Sequence, residues 1–294
     1  MRHRAIAVTA GKTALLAVVM FVLWTAFSGL FMSIMGPPGE VTAPAEPQNM
    51  IRMLSLMLLV SLINTSVLIM AASRSAWSGV RLVMAIALQI FGIQYLLTFS
   101  EAFLFNRSLG MPESLMLAHL LAGLCMSLSF SIIAVAVLGR LRTAPPTSSI
   151  GEPLGRTELL IRILLLSVIL YPLIYFLAGY FIAFRSETVR LFYTSSTERI
   201  ALLASAGDFL GSSLYPFQIV RGIVWILVAL PVVRMTEGKG WERSLIVGLL
   251  FALIMNSQHM LPNEHMPGDL RLVHFVETVS SNLVWGMAVG YFLR

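Results

Sequence analysis

The sequence has few of the residues that keep a protein soluble. Charged residues make up 12% of its 294 positions, whereas hydrophobic residues make up 57%. A soluble domain carries about 25% charged residues, because its surface faces water. The composition therefore excludes an ordinary soluble domain and predicts a protein embedded in a lipid bilayer.

Cysteine and the common catalytic signatures are also scarce. Cys125 is the only cysteine, so no internal disulfide can form, and its apolar surroundings are typical of a small buried residue. No Walker A, GxGxxG, CxxCH, HExxH or CaaX pattern occurs. The net charge of +6 is not gathered into basic blocks, so no nucleic-acid partner is expected.

The sequence is instead rich in long unbroken apolar runs. In lipid, backbone groups must bond within helices or closed barrels, and unbroken runs lack the alternation of barrel strands. We predict an all-α fold, a polytopic integral membrane bundle of about eight transmembrane helices. The predicted helices cover approximately residues 13–35, 50–72, 81–105, 112–138, 158–184, 216–233, 242–261 and 267–293.

Two stretches of the chain resemble each other without a gap. Residues 111–130, MPESLMLAHLLAGLCMSLSF, align with residues 266–285, MPGDLRLVHFVETVSSNLVW. The match predicts two parallel four-helix repeats. The predicted division is residues 1–142 for the first repeat, 143–156 for a cytoplasmic linker and 157–294 for the second repeat.

The distribution of Lys and Arg predicts the orientation. With eight helices, 13 of the 20 basic residues fall on the side that holds both termini. Basic residues favour the cytoplasmic side, so we expect both termini in the cytoplasm and a multi-pass protein of the plasma (inner) membrane. The long loop at residues 185–215 then faces outward. Residues 200–214 within it are apolar enough for a short surface helix.

Ionisable and amide side chains gather near the predicted outer ends of several helices. His274 and Glu277 share one face of the last helix, close enough to interact. Ionisable residues in spans usually face the bundle interior, although interhelical hydrogen bonding alone would also explain them. We predict an outward-facing polar pocket between the third, fourth, seventh and eighth helices. Its candidate lining residues are His274, Glu277, His119, Glu101, Gln94, Gln258 and Arg271.

Two cofactor alternatives stay open, and neither has the spacing of a known site. The repeat would place His119 and His274 across a pseudo-two-fold axis, where two imidazoles can hold a haem iron. A divalent metal would need several converging ligands. The candidate metal ligands are His259, Glu264, His265, His274 and Glu277.

Three functional hypotheses follow. The first is a permease-like or lipid-handling protein that binds a small amphiphilic ligand, because the predicted membrane centre has almost no charge for an ion. The second is an accessory or sensor subunit that binds a membrane protein partner. The third is a membrane enzyme with His274 as base and Glu277 as its orienting group, although no catalytic residue is assigned.

Overall fold

A computed structural model of the chain describes residues 2–35, 47–105, 111–142, 154–262 and 266–293. Over these ranges the chain is helical apart from turns, and its only β-type pairing is the isolated antiparallel bridge between Ser75 and Thr236. The predicted all-helical class is therefore confirmed. Most of the predicted linker, residues 143–153, lies outside the described residues, as does the proline-rich loop at 36–46.

The helices of the first half alternate with short turns. They are α1 (Arg2–Met35), α2 (Pro47–Ser73), α3 (Gly79–Gln89), a π-helical segment (Ile90–Leu97), α4 (Thr98–Leu104) and α5 (Glu113–Val137). The π segment joins α3 and α4 into one continuous rod.

The second half has more elements because its connections are helical too. They are α6 (Arg156–Leu165), a π segment (Leu166–Leu170), α7 (Tyr171–Phe181), a 3₁₀ turn (Ala183–Arg185), α8 (Glu187–Thr194), α9 (Leu202–Gly211), α10 (Leu214–Met235), α11 (Gly240–Leu249), a π segment (Leu250–Ile254), a 3₁₀ turn (Ser257–Met260) and α12 (Gly268–Phe292).

Six helical rods are long and apolar enough to cross a membrane. Among the described residues they are Val8–Met35, Gln48–Ser73, Gly79–Leu104, Glu113–Val137, Arg156–Arg185 and Leu214–Met235. The chain is thus a helical, multi-pass membrane protein, with six spans by this criterion and not the expected eight. The last two predicted spans do not meet it: α11 with its π segment is short, and polar residues such as His274, Glu277 and Asn282 lower the hydropathy of α12.

One large apolar core joins the rods. It includes Leu16 and Met20 from α1, Phe130 from α5 and Trp225 from α10, and each of these residues is at most 1% exposed to solvent. Large apolar side chains on the outer surface, such as Leu15 and Leu62, remain exposed, as expected for a surface that faces lipid.

α12 packs closely against α11. A Cβ atom added at Gly286 would lie 2.6 Å from the carbonyl oxygen of Val247, and one at Gly290 would lie 2.7 Å from Cα of Ser244. These neighbours are backbone atoms that cannot rotate away. The GxxxG spacing of Gly286 and Gly290 therefore permits a backbone-to-backbone approach, a common way for helices to pack in membranes.

We expect Gly290→Ala and Gly286→Ala each to lower the free energy of unfolding by about 1–3 kcal/mol, because the added methyl overpacks this contact. Gly207→Ala is the matched control, since a Cβ at Gly207 meets nothing within 4 Å. Thermal unfolding of the purified variants in detergent measures the effect. Equal melting of Gly290→Ala and Gly207→Ala would refute the close packing of α11 and α12.

Candidate functional site

A cavity of about 740 Å³ lies at the end of the bundle where α7 finishes and α10 begins. Its walls come from α4, α7, α8, α9, α10, α12 and residues 255–259. The volume falls within the range of small-molecule binding sites, about 300–1,000 Å³. This cavity is the candidate functional site.

Each of the three π segments ends directly before a residue that lines the cavity. The residues that directly follow them, Thr98, Tyr171 and Met255, all line it. A π turn adds a residue to the helical repeat and so rotates the side chains beyond it, and such turns are frequent at functional sites. Three rods have therefore changed register at the depth of the cavity.

The long loop predicted at residues 185–215 contains α8 and α9, and both helices line the cavity. Arg190 of α8 is buried, and its guanidinium donates to the backbone carbonyl oxygens of Phe184 at 2.7 Å, Arg185 at 3.0 Å and Thr197 at 2.7 Å. Phe209 of α9 stacks 5.5 Å from the ring of Phe176 of α7. We call α8 and α9 together the lid.

Arg221 forms the polar centre of the cavity floor. Its side chain is 6% exposed, and Nη2 lies 2.6 Å from Oε2 of Glu101. Its Nη1 donates to the hydroxyl of Tyr171 at 2.9 Å, and Nε1 of Trp225 donates to the same hydroxyl at 3.1 Å. A charge is costly to bury in an apolar environment, so the carboxylate of Glu101 must compensate this guanidinium.

The sequence of α10 places Arg221 on its inner face. Gln218, Arg221 and Trp225 are three or four residues apart, so they lie on the same side of the helix, and all three are buried. Gly222 adjoins them and lets α10 approach the π segment Leu166–Leu170 closely, because a Cβ at Gly222 would lie 3.2 Å from Cα of Ser167. Below this level the floor is closed by Trp225, Phe251 and Trp285, all fully buried.

A second set of polar side chains links α12 to the lid by hydrogen bonds. Nδ1 of His274 lies 3.1 Å from Oε2 of Glu277, and Nε2 of the same imidazole lies 3.1 Å from the hydroxyl of Tyr193. With Glu277 ionised, Nδ1–H donates to the carboxylate and Nε2 accepts from the phenol. Burial raises the pKa of Tyr193, with Glu101 and Glu277 adding to the shift, so the phenol stays protonated and can donate.

The His274 imidazole has the chemistry of an oriented base. A carboxylate at Nδ1 sets the tautomer that leaves Nε2 able to take a proton from a hydroxyl. His259 stacks 6.4 Å from His274 and lines the same wall. Burial, with nearby His274 and Arg271, lowers the pKa of His259 to about 4, so this second imidazole is neutral near pH 7.

The structure brings four of the seven predicted pocket residues together. Glu101, Gln258, His274 and Glu277 all line the cavity. Gln94 lies outside it, in a buried chain where Asn64 donates to Gln94 at 3.2 Å and accepts from Ser257 at 2.9 Å.

The other two predicted residues, His119 and Arg271, also lie outside the lining. The His119 ring packs 5.6 Å from Phe99, and its Nδ1 lies 2.8 Å from the carbonyl oxygen of Leu115 in its own helix. Arg271 donates to the carbonyl oxygen of Met266 at 2.7 Å.

The cofactor alternatives gain no support from this geometry. Both nitrogens of His274 are engaged by protein groups, so its imidazole presents no vacant ligand atom to a shared iron, and His119 does not line the cavity with it. Over the described part of the chain, no three His, Cys, Asp or Glu side chains are placed to hold a metal ion. Glu264 and His265 lie outside the described residues.

The predicted pocket residues did not include Arg221, the centre of the cavity floor. In the structure Arg221 is buried inside α10 and paired with Glu101. The available signal was an arginine well inside an apolar run, on one face with Gln218 and Trp225. No local signal pointed to Tyr171 or Tyr193.

Comparison of the chain with models of protein families, with curated proteins and with solved structures finds no match. The function is therefore argued from the geometry of the cavity.

The Arg221–Glu101 pair should contribute far more to stability than an exposed pair. Glu101→Gln leaves a buried guanidinium without its countercharge, so we expect a loss of roughly 3 kcal/mol. Glu158→Gln is the matched control, because Glu158 pairs with Arg162 on an exposed surface, where such pairs are worth below about 1 kcal/mol. Chemical or thermal unfolding in detergent compares the two. Similar losses in both variants would show that the buried pair is not needed.

Proposed function

We propose that this chain is a permease-like, ligand-handling membrane protein whose cavity binds a small amphiphilic molecule. The observation that carries the proposal is the cavity itself: it is large enough for a small molecule, it is lined in part by the lid, and it is mostly apolar with a few polar groups placed together. Ligand sites in proteins share this combination of apolar walls and convergent polar groups.

Aromatic side chains make up much of the cavity wall. The aromatic lining residues are Phe105, Tyr171, Tyr175, Phe176, Tyr180, Phe184, Tyr193 and Phe209. They offer a large apolar contact area for the hydrocarbon part of a ligand. Arg221, Glu277 and Asn256 supply polar contacts for its head group. An amphiphile fits this division better than a bare ion, which would need a polar shell on all sides.

The proposal includes eight crossings, with both termini in the cytoplasm of a cell whose plasma (inner) membrane holds the protein. α11 with its π segment and α12 would be the seventh and eighth. Their polar residues are compatible with a span because Glu277 and Asn282 face the bundle and are buried. The lid would then lie on the outer side, at the mouth of the cavity.

Two observations support the proposed pair of four-helix repeats. α1 packs against α2 and α5, and the rod of α6 and α7 packs likewise against α10 and α12. The turn after α2 and the turn after α10 pair through the bridge of Ser75 and Thr236, with Ala76 N donating to Met235 O and Glu237 N donating to Arg74 O. An antiparallel pairing of equivalent segments is what a two-fold axis between repeats would produce.

A larger side chain in the cavity wall should weaken binding. A Cβ at Gly179, which lines the cavity, meets nothing within 4 Å, so Gly179→Leu projects a side chain into open space without a clash. We expect this variant to fold normally and to weaken binding of the uncharged dye N-phenyl-1-naphthylamine at least about tenfold, or about 1.4 kcal/mol. Dye fluorescence with protein in lipid nanodiscs measures it.

Gly29→Leu is the control for that experiment, because Gly29 lies on an exposed face of α1 and its added Cβ also meets nothing within 4 Å. It should bind the dye like the unmodified protein. If neither the unmodified protein nor Gly29→Leu binds more dye than Gly179→Leu, the cavity is not a binding site and the proposal fails.

Cysteine labelling tests the proposed topology. In a Cys125→Ala background, single cysteines replace three exposed residues: Ala201 before α9, Lys239 before α11 and Asp269 in α12. A membrane-impermeant maleimide should label positions 201 and 269 in intact cells, and position 239 only after permeabilisation. The Cys125→Ala protein without an added cysteine gives the background. Labelling of 239 and 269 from the same side would mean that α11 does not cross.

A further inference from the structure

The charged groups that line the cavity do not balance. Among the described lining residues there are four carboxylates and three guanidiniums. The acids are Glu101, Glu198, Asp208 and Glu277, and the bases are Arg190, Arg199 and Arg221. His259 is neutral near pH 7. The cavity therefore carries one excess negative charge unless a proton or a ligand supplies the missing positive charge.

The carboxylate left without a cation in the buried part of the cavity is Glu277, because Glu198, Arg199 and Asp208 are exposed to solvent. Arg221 pairs with Glu101 at 2.6 Å, and Arg190 donates to three backbone carbonyl oxygens and lies 4.0 Å from Glu187. Glu277 is 7% exposed, and its bonded neighbour is the imidazole of His274. No guanidinium or ammonium pairs with it among the described residues.

The titratable and charged groups that interact with this carboxylate come from several elements. They are His274 on its own helix, Glu101 on α4, Tyr175 on α7, Tyr193 on α8 and Arg221 on α10. Of these, the only permanent cation is Arg221, and it is paired with Glu101. An ionised carboxylate at this degree of burial is costly without a positive partner.

Independent features of the cavity also favour a cation. The faces of aromatic rings carry negative electrostatic potential and attract cations within about 6 Å. One lining ring already does so, since the guanidinium of Arg199 lies 4.8 Å from the centre of the Tyr180 ring. In addition, Oδ1 of Asn256, a lining residue only 1% exposed, has no hydrogen-bond partner among the described residues. A carbonyl oxygen left without a donor suits a positively charged head group.

We propose that the ligand is a lipophilic cation, whose charge is neutralised by Glu277 and whose apolar body contacts the aromatic wall. This inference rests on the proposed function and narrows it to one class of amphiphile. A lipophilic anion of the same shape would meet the excess negative charge and be rejected, because Arg221 already has a countercharge in Glu101.

Two probes of opposite charge and nearly the same shape test which sign of ligand charge the cavity prefers. They are tetraphenylphosphonium, a cation, and tetraphenylborate, an anion. Equilibrium dialysis against protein in nanodiscs of uncharged lipid measures the binding of each. Subtracting the binding to Gly179→Leu nanodiscs removes partition into lipid. We expect cavity binding of the cation to exceed that of the anion at least about tenfold.

The Glu277→Gln variant tests whether the carboxylate of Glu277 is the group that favours a cationic ligand. The amide keeps the size of the side chain, so we expect cation binding to fall at least about tenfold while the uncharged dye still binds. Glu158→Gln, the same change on an exposed surface far along the chain, should leave both unaffected. Cation preference in the unmodified protein is measured without Glu277→Gln, so a folding defect in that variant does not remove the test.

The outcomes separate this inference from the function on which it rests. If the dye binds but the two charged probes bind equally, or the anion binds better, the cavity stands and the cation inference is overturned. The same holds if Glu277→Gln keeps full cation binding. If neither the dye nor the probes distinguish the unmodified protein from Gly179→Leu, the proposed function itself fails.

Discussion

The burial of Arg221 is the constraint on which the cavity depends. A guanidinium inside an apolar helix must be neutralised and hydrogen-bonded, because the surrounding medium offers neither charge nor water. Glu101 supplies the charge from α4, and Tyr171 supplies an oxygen from α7. The pair thus ties three rods together at one depth, and the space above it cannot close without desolvating these groups further.

The lid and the floor perform different tasks in this arrangement. Carbonyl oxygens at the end of α7 and around α8 hold Arg190 and so fix the start of the lid, while the hydroxyl of Tyr193 reaches down to His274. The aromatic walls offer contact area and no charge. In the proposed function, selection among ligands would fall to the few polar groups, above all Glu277, whose neighbour His274 is an imidazole and not a permanent cation.

The parts of the fold that hydropathy controls could be predicted from the sequence. Apolar runs long enough to span lipid must be helical, since every peptide group has to bond within its own segment. Of the eight spans predicted on this basis, six are long and apolar enough in the structure. The spacing of Gly286 and Gly290 also indicated a close helix contact, which the structure places between α11 and α12. Both signals are local. They depend on residues within a few turns of one another.

By itself, the sequence determined that this is a helical membrane protein, and it pointed to Glu101, Gln258, His274 and Glu277 as polar residues in apolar surroundings. Only the tertiary structure decided that Arg221 meets Glu101, that Tyr193 of a loop meets His274, and that His119 stays apart. The physical reason is that these pairs join residues far apart in the chain. Their meeting is set by helix packing and by the rotations that the π segments introduce, such as Leu166–Leu170 just before Tyr171, and neither leaves a periodic pattern in the sequence.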